Sequence, residues 1–371
     1  GYATRDLPDY MREATVIADV LGEEGSDLIQ VISPKTLNEK GMLQTQSALL
    51  LFSKYFGPLP YGRIAVTQQP ELSFGQSWPT LLYIPLVAYL DATQRWRLLG
   101  SVNEITEFVQ EVIPHEVAHQ WWGQGVGWSS YRDAWLSEGF ADFSVGLYLQ
   151  LTRQKPGKYL DFLSRARELI LEKNEHGRRA CEAGPISLGL RLSTNKNASA
   201  YSKLVYNKGA YVLHMLRMMM FQRQTGDQAF VEMIREFVQK HFNRNVTTED
   251  FKAMVEKHMK PHMDLDGNRK MDWFFDQWVH GTEIPRYRFT YDLIPGQSGQ
   301  WVLNCSLTQS EVSSAFKMPV PIYAELDGKP VRLGVVRLVG NSTLPNIQVT
   351  LPKKPGRVMI NASYDVLSRA E

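Results

Sequence analysis

Apolar positions along the chain change their period, and the changes mark out its parts. Asp27 to Ile32 reads as a strand, and three- and four-residue spacing from Leu37 to Tyr55 predicts a helix that Gly57-Pro58-Leu59-Pro60 ends. Arg63 to Gln68 and Leu81 to Leu86 predict further strands, so the opening part is expected to be a small sheet with a helix against it. From Val102 to Lys257 the pattern turns helical, most strongly over Val102 to Trp122, Ala134 to Leu151 and Ala200 to Phe221. Trp273 to Trp278 predicts a last helix, closed by Gly281 and followed by Pro285.

Beyond Arg286 the period shortens to two. Arg288 to Leu293, Trp301 to Leu307, Pro321 to Leu326, Val331 to Leu338 and Ile347 to Leu351 alternate, with turns such as Asp327-Gly328 and Pro355-Gly356 between them. The expected fold class is therefore α+β: a mostly helical domain over 27–285 with a small N-terminal sheet, then an all-β sandwich over 286–371. Residues 1–26 read as a leader or the remnant of a preceding domain.

Composition narrows the class without naming a chemistry. The 371 residues are 43% hydrophobic and 22% charged, which excludes disorder and collagen and is enough for a core without staples. Forty-one basic against 39 acidic residues give a net charge of +2, so nothing favours a nucleic-acid partner. Apolar runs such as Leu81 to Leu90 are too short for a membrane span. Cys181 and Cys305 lie far apart and read as buried thiols rather than a disulfide framework.

The chemistry sits at His115-Glu116-Val117-Ala118-His119. Two histidines at i and i+4 on one helix face can bind one zinc ion at roughly 2.0–2.1 Å, and Glu116, one position on, is placed to take a proton from an attacking water. The alternative is a helix with two surface or core histidines. A third protein ligand separates these readings, and Glu138 is the candidate, in a second helix that a loop through Gly123, Gly125 and Gly127 can fold back on the first. Asp142, one turn beyond Glu138, is either the hydrogen-bond acceptor that orients a ligand histidine or an ordinary solvated charge. His258-Met259-Lys260-Pro261-His262 has the same histidine spacing but no adjacent Glu, and Pro261 makes it a helix end and surface turn. Asp264 to Asn268 reads as a polar turn rather than a calcium loop, and Met215, Met218, Met219 and Met220 as core packing.

The string from His115 to Gly123, with Trp135-Leu136-Ser137-Glu138-Gly139-Phe140-Ala141, resembles the aminopeptidase N family of zinc metallopeptidases, which belongs to the gluzincins. Gly57 to Tyr61, Phe274 to Tyr287 and Val205-Tyr206-Asn207-Lys208-Gly209-Ala210 are similar to further segments of that family. The resemblance implies a thermolysin-like catalytic domain, one catalytic zinc, and a peptide substrate. It gives Tyr206 the role of hydrogen-bond donor to the oxyanion of the tetrahedral intermediate. It also implies flanking domains in the full-length parent, a β-rich one before this stretch and a helical one after it, and leans towards an extracytoplasmic or membrane-anchored parent.

In one respect the sequence departs from the family. The family's G-x-M-E-N segment, whose glutamate holds the substrate's α-amine, corresponds to Phe74-Gly75-Gln76-Ser77-Trp78-Pro79, which has no carboxylate. Gly75 and Gln76 are expected to form the edge that pairs with a substrate backbone, and Glu71, Glu104, Glu107 or Glu111 to substitute for the missing charge. Aminopeptidase action is the leading reading. The alternatives are an endopeptidase or a peptidase of altered terminus specificity, ester or epoxide hydrolysis by the same centre, and a non-enzymatic scaffold that kept the fold.

Overall fold

The computed structural model describes residues 34–70, 73–90, 93, 95–96, 103–152 and 157–369. The expected strand at Asp27 to Ile32, residues 1–26 and Glu71 lie outside the described residues, as does the side chain of Glu104. Helix and sheet are mixed, with sheet concentrated at the C-terminal end. Among the described residues the chain forms two compact units: residues up to Ser129 with 136–152 and 234–247, and residues 130–135, 157–233 and 248–369.

The first unit opens with helix α1 (Pro34–Phe56), which stops where Gly57 takes a positive φ of 103° and Pro58 follows. Strands β1 (Ala65–Gln69), β2 (Gln76–Trp78) and β3 (Leu81–Pro85) form a sheet ordered β1-β3-β2, parallel between β1 and β3 and antiparallel between β3 and β2. The short strand β2 escaped the alternation rule because three residues carry too little pattern. Among the described residues it pairs within the sheet with β3 alone, which leaves its other side as an edge. Leu86 continues not as strand but as a 3-10 turn, Leu86–Tyr89.

Helix α2 (Asn103–Ala118) carries the histidine motif, and α3 (Trp135–Thr152) carries Glu138. The helix expected to reach Trp122 ends at Ala118, so His119 stands in the first turn beyond it, its N–H 3.3 Å from the His115 carbonyl. Pro114 lies inside α2 and can give no N–H to the Gln110 carbonyl one turn back. The side chain of Gln44, on α1, donates to that carbonyl at 3.2 Å instead. Aromatic packing fixes the helix end: Phe56 meets Trp122 edge-on at 5.2 Å, and Trp122 stacks on Phe140 of α3 at 3.9 Å. Strands β4 (Val126–Trp128) and β5 (Arg244–Val246) pair in parallel.

The second unit contains α4 (Lys158–Leu171), then a π-helical turn over Ser202–Lys208 that runs into α5 (Gly209–Met220). Helix α6 (Gln228–His241) precedes α7 (Thr248–His258) and α8 (Asp272–Trp278). The second histidine pair is, as expected, a helix end: α7 stops at His258 and Pro261–Met263 is a separate turn. Asp264 closes a polar turn by accepting the N–H groups of Asn268 and Arg269. Met215, Met219 and Met220 are buried, as are both cysteines.

The remaining strands are β6 (Arg286–Pro295), β7 (Trp301–Ser310), β8 (Lys317–Leu326), β9 (Lys329–Val339), β10 (Ser342–Leu351) and β11 (Val358–Ile360). They make two three-stranded antiparallel sheets, β10-β7-β6 and β11-β8-β9. Among the described residues no helix is long and apolar enough to cross a membrane.

Candidate metal centre

His115, His119 and Glu138 come together in the first unit, one ligand atom from each lying within 4.8 Å of the others. The two imidazole Nε2 atoms are 3.1 Å apart, and Glu138 Oε2 is 3.4 and 3.3 Å from them. The other ring nitrogens settle what these atoms are. His115 Nδ1 lies 2.8 Å from Asp142 Oδ1, and His119 Nδ1 lies 2.8 Å from the Trp122 carbonyl. Both partners accept, so both Nδ1 atoms carry hydrogen, and in the neutral rings both Nε2 lone pairs point into the cluster. Two bare nitrogens and a carboxylate oxygen at that spacing repel unless something positive sits among them. Glu138 Oε2 is buried and meets no hydrogen bond of good geometry. Nitrogen and oxygen donors in this number fit a zinc ion.

The charges respond to the crowding. Burial would lower the His115 pKa, but the hydrogen bond to Asp142 and the nearby Glu138 carboxylate outweigh it and hold the ring well above its ordinary value. At His119 burial is likewise outweighed, by the charge of Glu138, and the pKa is raised. Burial would raise Glu138, yet the two histidines keep it well below the usual carboxylate range. Glu116 is nearly buried, and that burial raises its pKa.

Neighbours unseen in the sequence hold this cluster. Gln120, fully buried, donates to Ser77 Oγ at 2.8 Å and to the Trp78 carbonyl at 3.0 Å, and its Oε1 accepts the Thr80 N–H at 2.9 Å. Gln124 adds a 2.9 Å bond to the Ser77 carbonyl. The turn after α2 is thereby stapled to β2, and Gly75, just before that strand, lies against Glu116. A Cβ on Gly75 would fall 2.6 Å from Glu116 Cγ and Oε1. Gln76 is exposed on this edge. Ser137, next to Glu138, donates to the same Trp122 carbonyl at 3.2 Å. The readable signal was Pro114, since a proline inside a helix calls for an outside donor; Gln120 gave none, because a glutamine in a helical run usually faces water.

Tyr206 belongs to the second unit, half-buried in the π-helical turn with its ring 5.8 Å from Tyr201, edge to face. Single π turns inside α-helices recur at functional positions. Two residues on, Lys208 is buried and donates to the Gly281 carbonyl at 3.0 Å, and burial lowers its pKa to about 8. Of the expected substitutes for the missing glutamate, Glu107 is exposed and Glu111 half-buried.

Comparison with known proteins gives this arrangement relatives. The model of the Peptidase family M1 domain matches residues 92–278. Aminopeptidase M1-B of Oryza sativa subsp. japonica is 26% identical over 223 residues, 59% of this chain and 23% of its own length. Endoplasmic reticulum aminopeptidase 1 of Rattus norvegicus is 28% identical over 283 residues, 73% of this chain and 27% of its own. Human endoplasmic reticulum aminopeptidase 2 is 31% identical over 225 residues, 59% and 22% of the two chains. The chain thus spans about a quarter of the length of these curated relatives. A crystal structure of Legionella pneumophila aminopeptidase A in complex with aspartic acid superposes with a TM-score of 0.60 at 16% identity, over 91% of this chain and 36% of that one. At that identity it speaks to the fold.

Proposed function

The chain belongs to the M1 peptidase family, and from that premise we propose that it hydrolyses peptide bonds with one zinc ion held by His115, His119 and Glu138, removing residues from free amino termini. The observation that carries this reading is the convergence of the His115 and His119 Nε2 atoms, on rings held through Nδ1, at 3.4 and 3.3 Å from the buried Oε2 of Glu138. Zinc bound there supplies Lewis acidity, which lowers the pKa of water and polarises the scissile carbonyl.

The chain's own residues do the rest. Asp142 and the Trp122 carbonyl hold the rings in the tautomer that presents Nε2. Glu116 takes a proton from the attacking water and returns it to the leaving amine; its burial favours the protonated form that follows the first transfer. Tyr206 donates its hydroxyl to the oxyanion. The edge of β2 at Gly75 and Gln76 pairs with the substrate backbone beside Glu116. In this reading the helical part, 27–285, is a thermolysin-like domain, and the two C-terminal sheets over 286–371 pack as a small β-sandwich.

A second reading follows from Gln76, which stands exposed on that edge where the family's amine-binding glutamate is expected. A neutral amide holds an ammonium less strongly than a carboxylate does, which favours substrates without a free amine. One peptide with free and with acetylated amino terminus, incubated with the zinc-loaded protein, separates the readings by product mass. Trimming of the free peptide alone supports aminopeptidase action, and internal cleavage of the acetylated one supports the second reading. Cleavage of neither, with zinc bound, would remove the enzymatic reading of this chain.

The Glu116→Gln variant is the control and the first prediction. It is expected to bind zinc at one equivalent, measured by elemental analysis, while kcat falls by about 10²–10⁴, the scale of a lost general base. Turnover equal to the parent's would end that role for Glu116.

A further inference from the structure

The β8–β9 hairpin of the second unit carries a register shift that the peptidase reading does not use. Pro319 faces Arg337, Pro321 faces Val335 and Ile322 faces Gly334, but the next residue, Tyr323, faces Arg332, so Leu333 is an extra residue in β9. In a regular strand, residues five apart point to opposite faces. The bulge at Leu333 reverses that parity and brings Arg332 and Arg337 onto one face, with Pro319, Pro321, Tyr323 and Val335. Bulges recur where a strand must re-aim a side chain.

Both arginines line a cavity of about 440 Å³, within the size range of small-molecule sites. Its apolar wall comes from Met218, Met219 and Phe221, together with Val335 on the strand. Arg332 Nη1 reaches the Met218 carbonyl and Arg337 Nη2 the His262 carbonyl, each at 3.4 Å, a long bond that occupies one of five N–H donors. Neither guanidinium is in an ion pair with a carboxylate among the described residues. Asp365, also on the cavity, shares a field with Arg332, but its oxygens hold the Tyr323 hydroxyl at 2.7 Å and the Ser363 N–H at 3.3 Å.

Two planar, donor-rich cations on one face, beside polarisable methionines and an aromatic ring, are complementary to a carboxylate with an apolar tail. We propose that this cavity binds a small carboxylate ligand with an apolar tail, the carboxylate held by Arg332 and Arg337 and the tail by Met218, Met219, Phe221 and Val335. The shared chemistry belongs equally to a free acid and to the C-terminal residue of a peptide, and the experiment separates them.

The test is calorimetric titration of the zinc-loaded Glu116→Gln chain with N-acetyl-leucine, N-acetyl-leucinamide and an acetylated Ala-Ala-Ala-Leu peptide. N-acetyl-leucine is expected to bind about tenfold or more tightly than its amide, the scale of a charge-assisted bidentate contact. Arg337→Gln and Arg332→Gln are each expected to weaken the acid by a similar factor. Tighter binding of the peptide identifies a chain end as the ligand; equal or weaker binding identifies the free acid. Equal affinity for acid and amide overturns the proposal without any variant. So does an unchanged affinity in both arginine variants, which would place the acid elsewhere on the protein.

Discussion

Glu116 and Gly75 show how little room the proposed reaction centre leaves. Gly75, just before β2, lies so close to Glu116 that even a methyl group would displace a buried carboxylate. Gly75→Ala is therefore expected to fold with a melting temperature near the parent's, because the residue is only half-buried, while kcat falls at least about tenfold through the shifted base. Unchanged kcat would show that Glu116 has room to move. Tyr206 acts differently if it serves the oxyanion: Tyr206→Phe should lower kcat by about 10²–10³ with KM little altered, since the contact is made in the transition state. A change confined to KM would argue for a substrate-binding role. Sequence made Glu116 legible through its spacing, and Tyr206 only through resemblance, since a tyrosine opening an apolar helix is more often core.

At the scale of the element, helix α2 is held at the middle by α1 and at its end by the β2–β3 hairpin. The Gln44 amide replaces the donor that Pro114 removed. Gln44→Ala is expected to cost about 0.5–1.5 kcal/mol in denaturant unfolding, the usual net value of one hydrogen bond. No loss of stability would mean that water serves the Gln110 carbonyl equally well. Helix positions and most strands were readable from periodicity, but β2 was not, and His119 lies past the helix end rather than inside it. Period reports where a segment is apolar; it does not report where a helix is stopped by a turn held through Trp122 and Gln120.

Across the whole molecule, the proposed zinc site would couple metal, pH and stability. With folded pKa values raised above the ordinary histidine value, charged His115 and His119 stabilise the metal-free protein fully below that ordinary value, and the stabilisation is lost as pH rises through the raised ones. Zinc needs the same nitrogens bare, so its affinity should fall as pH drops. The increase in melting temperature on adding zinc is accordingly expected to be larger at pH 8 than at pH 6, with chelator competition showing weaker zinc binding at the lower pH. Equal zinc affinity at both values would contradict proton competition at these rings. The sequence by itself determined the helical middle, the strands after Arg286, the histidine pair and Glu138, because each leaves a local mark in period or spacing. Only the tertiary structure decided which way the rings face, what orients Nδ1, how close Gly75 comes to Glu116, and that a bulge places Arg332 and Arg337 on one face. Those depend on contacts between residues far apart in the chain, such as Gln120 with Ser77 and His115 with Asp142, and no local pattern encodes them.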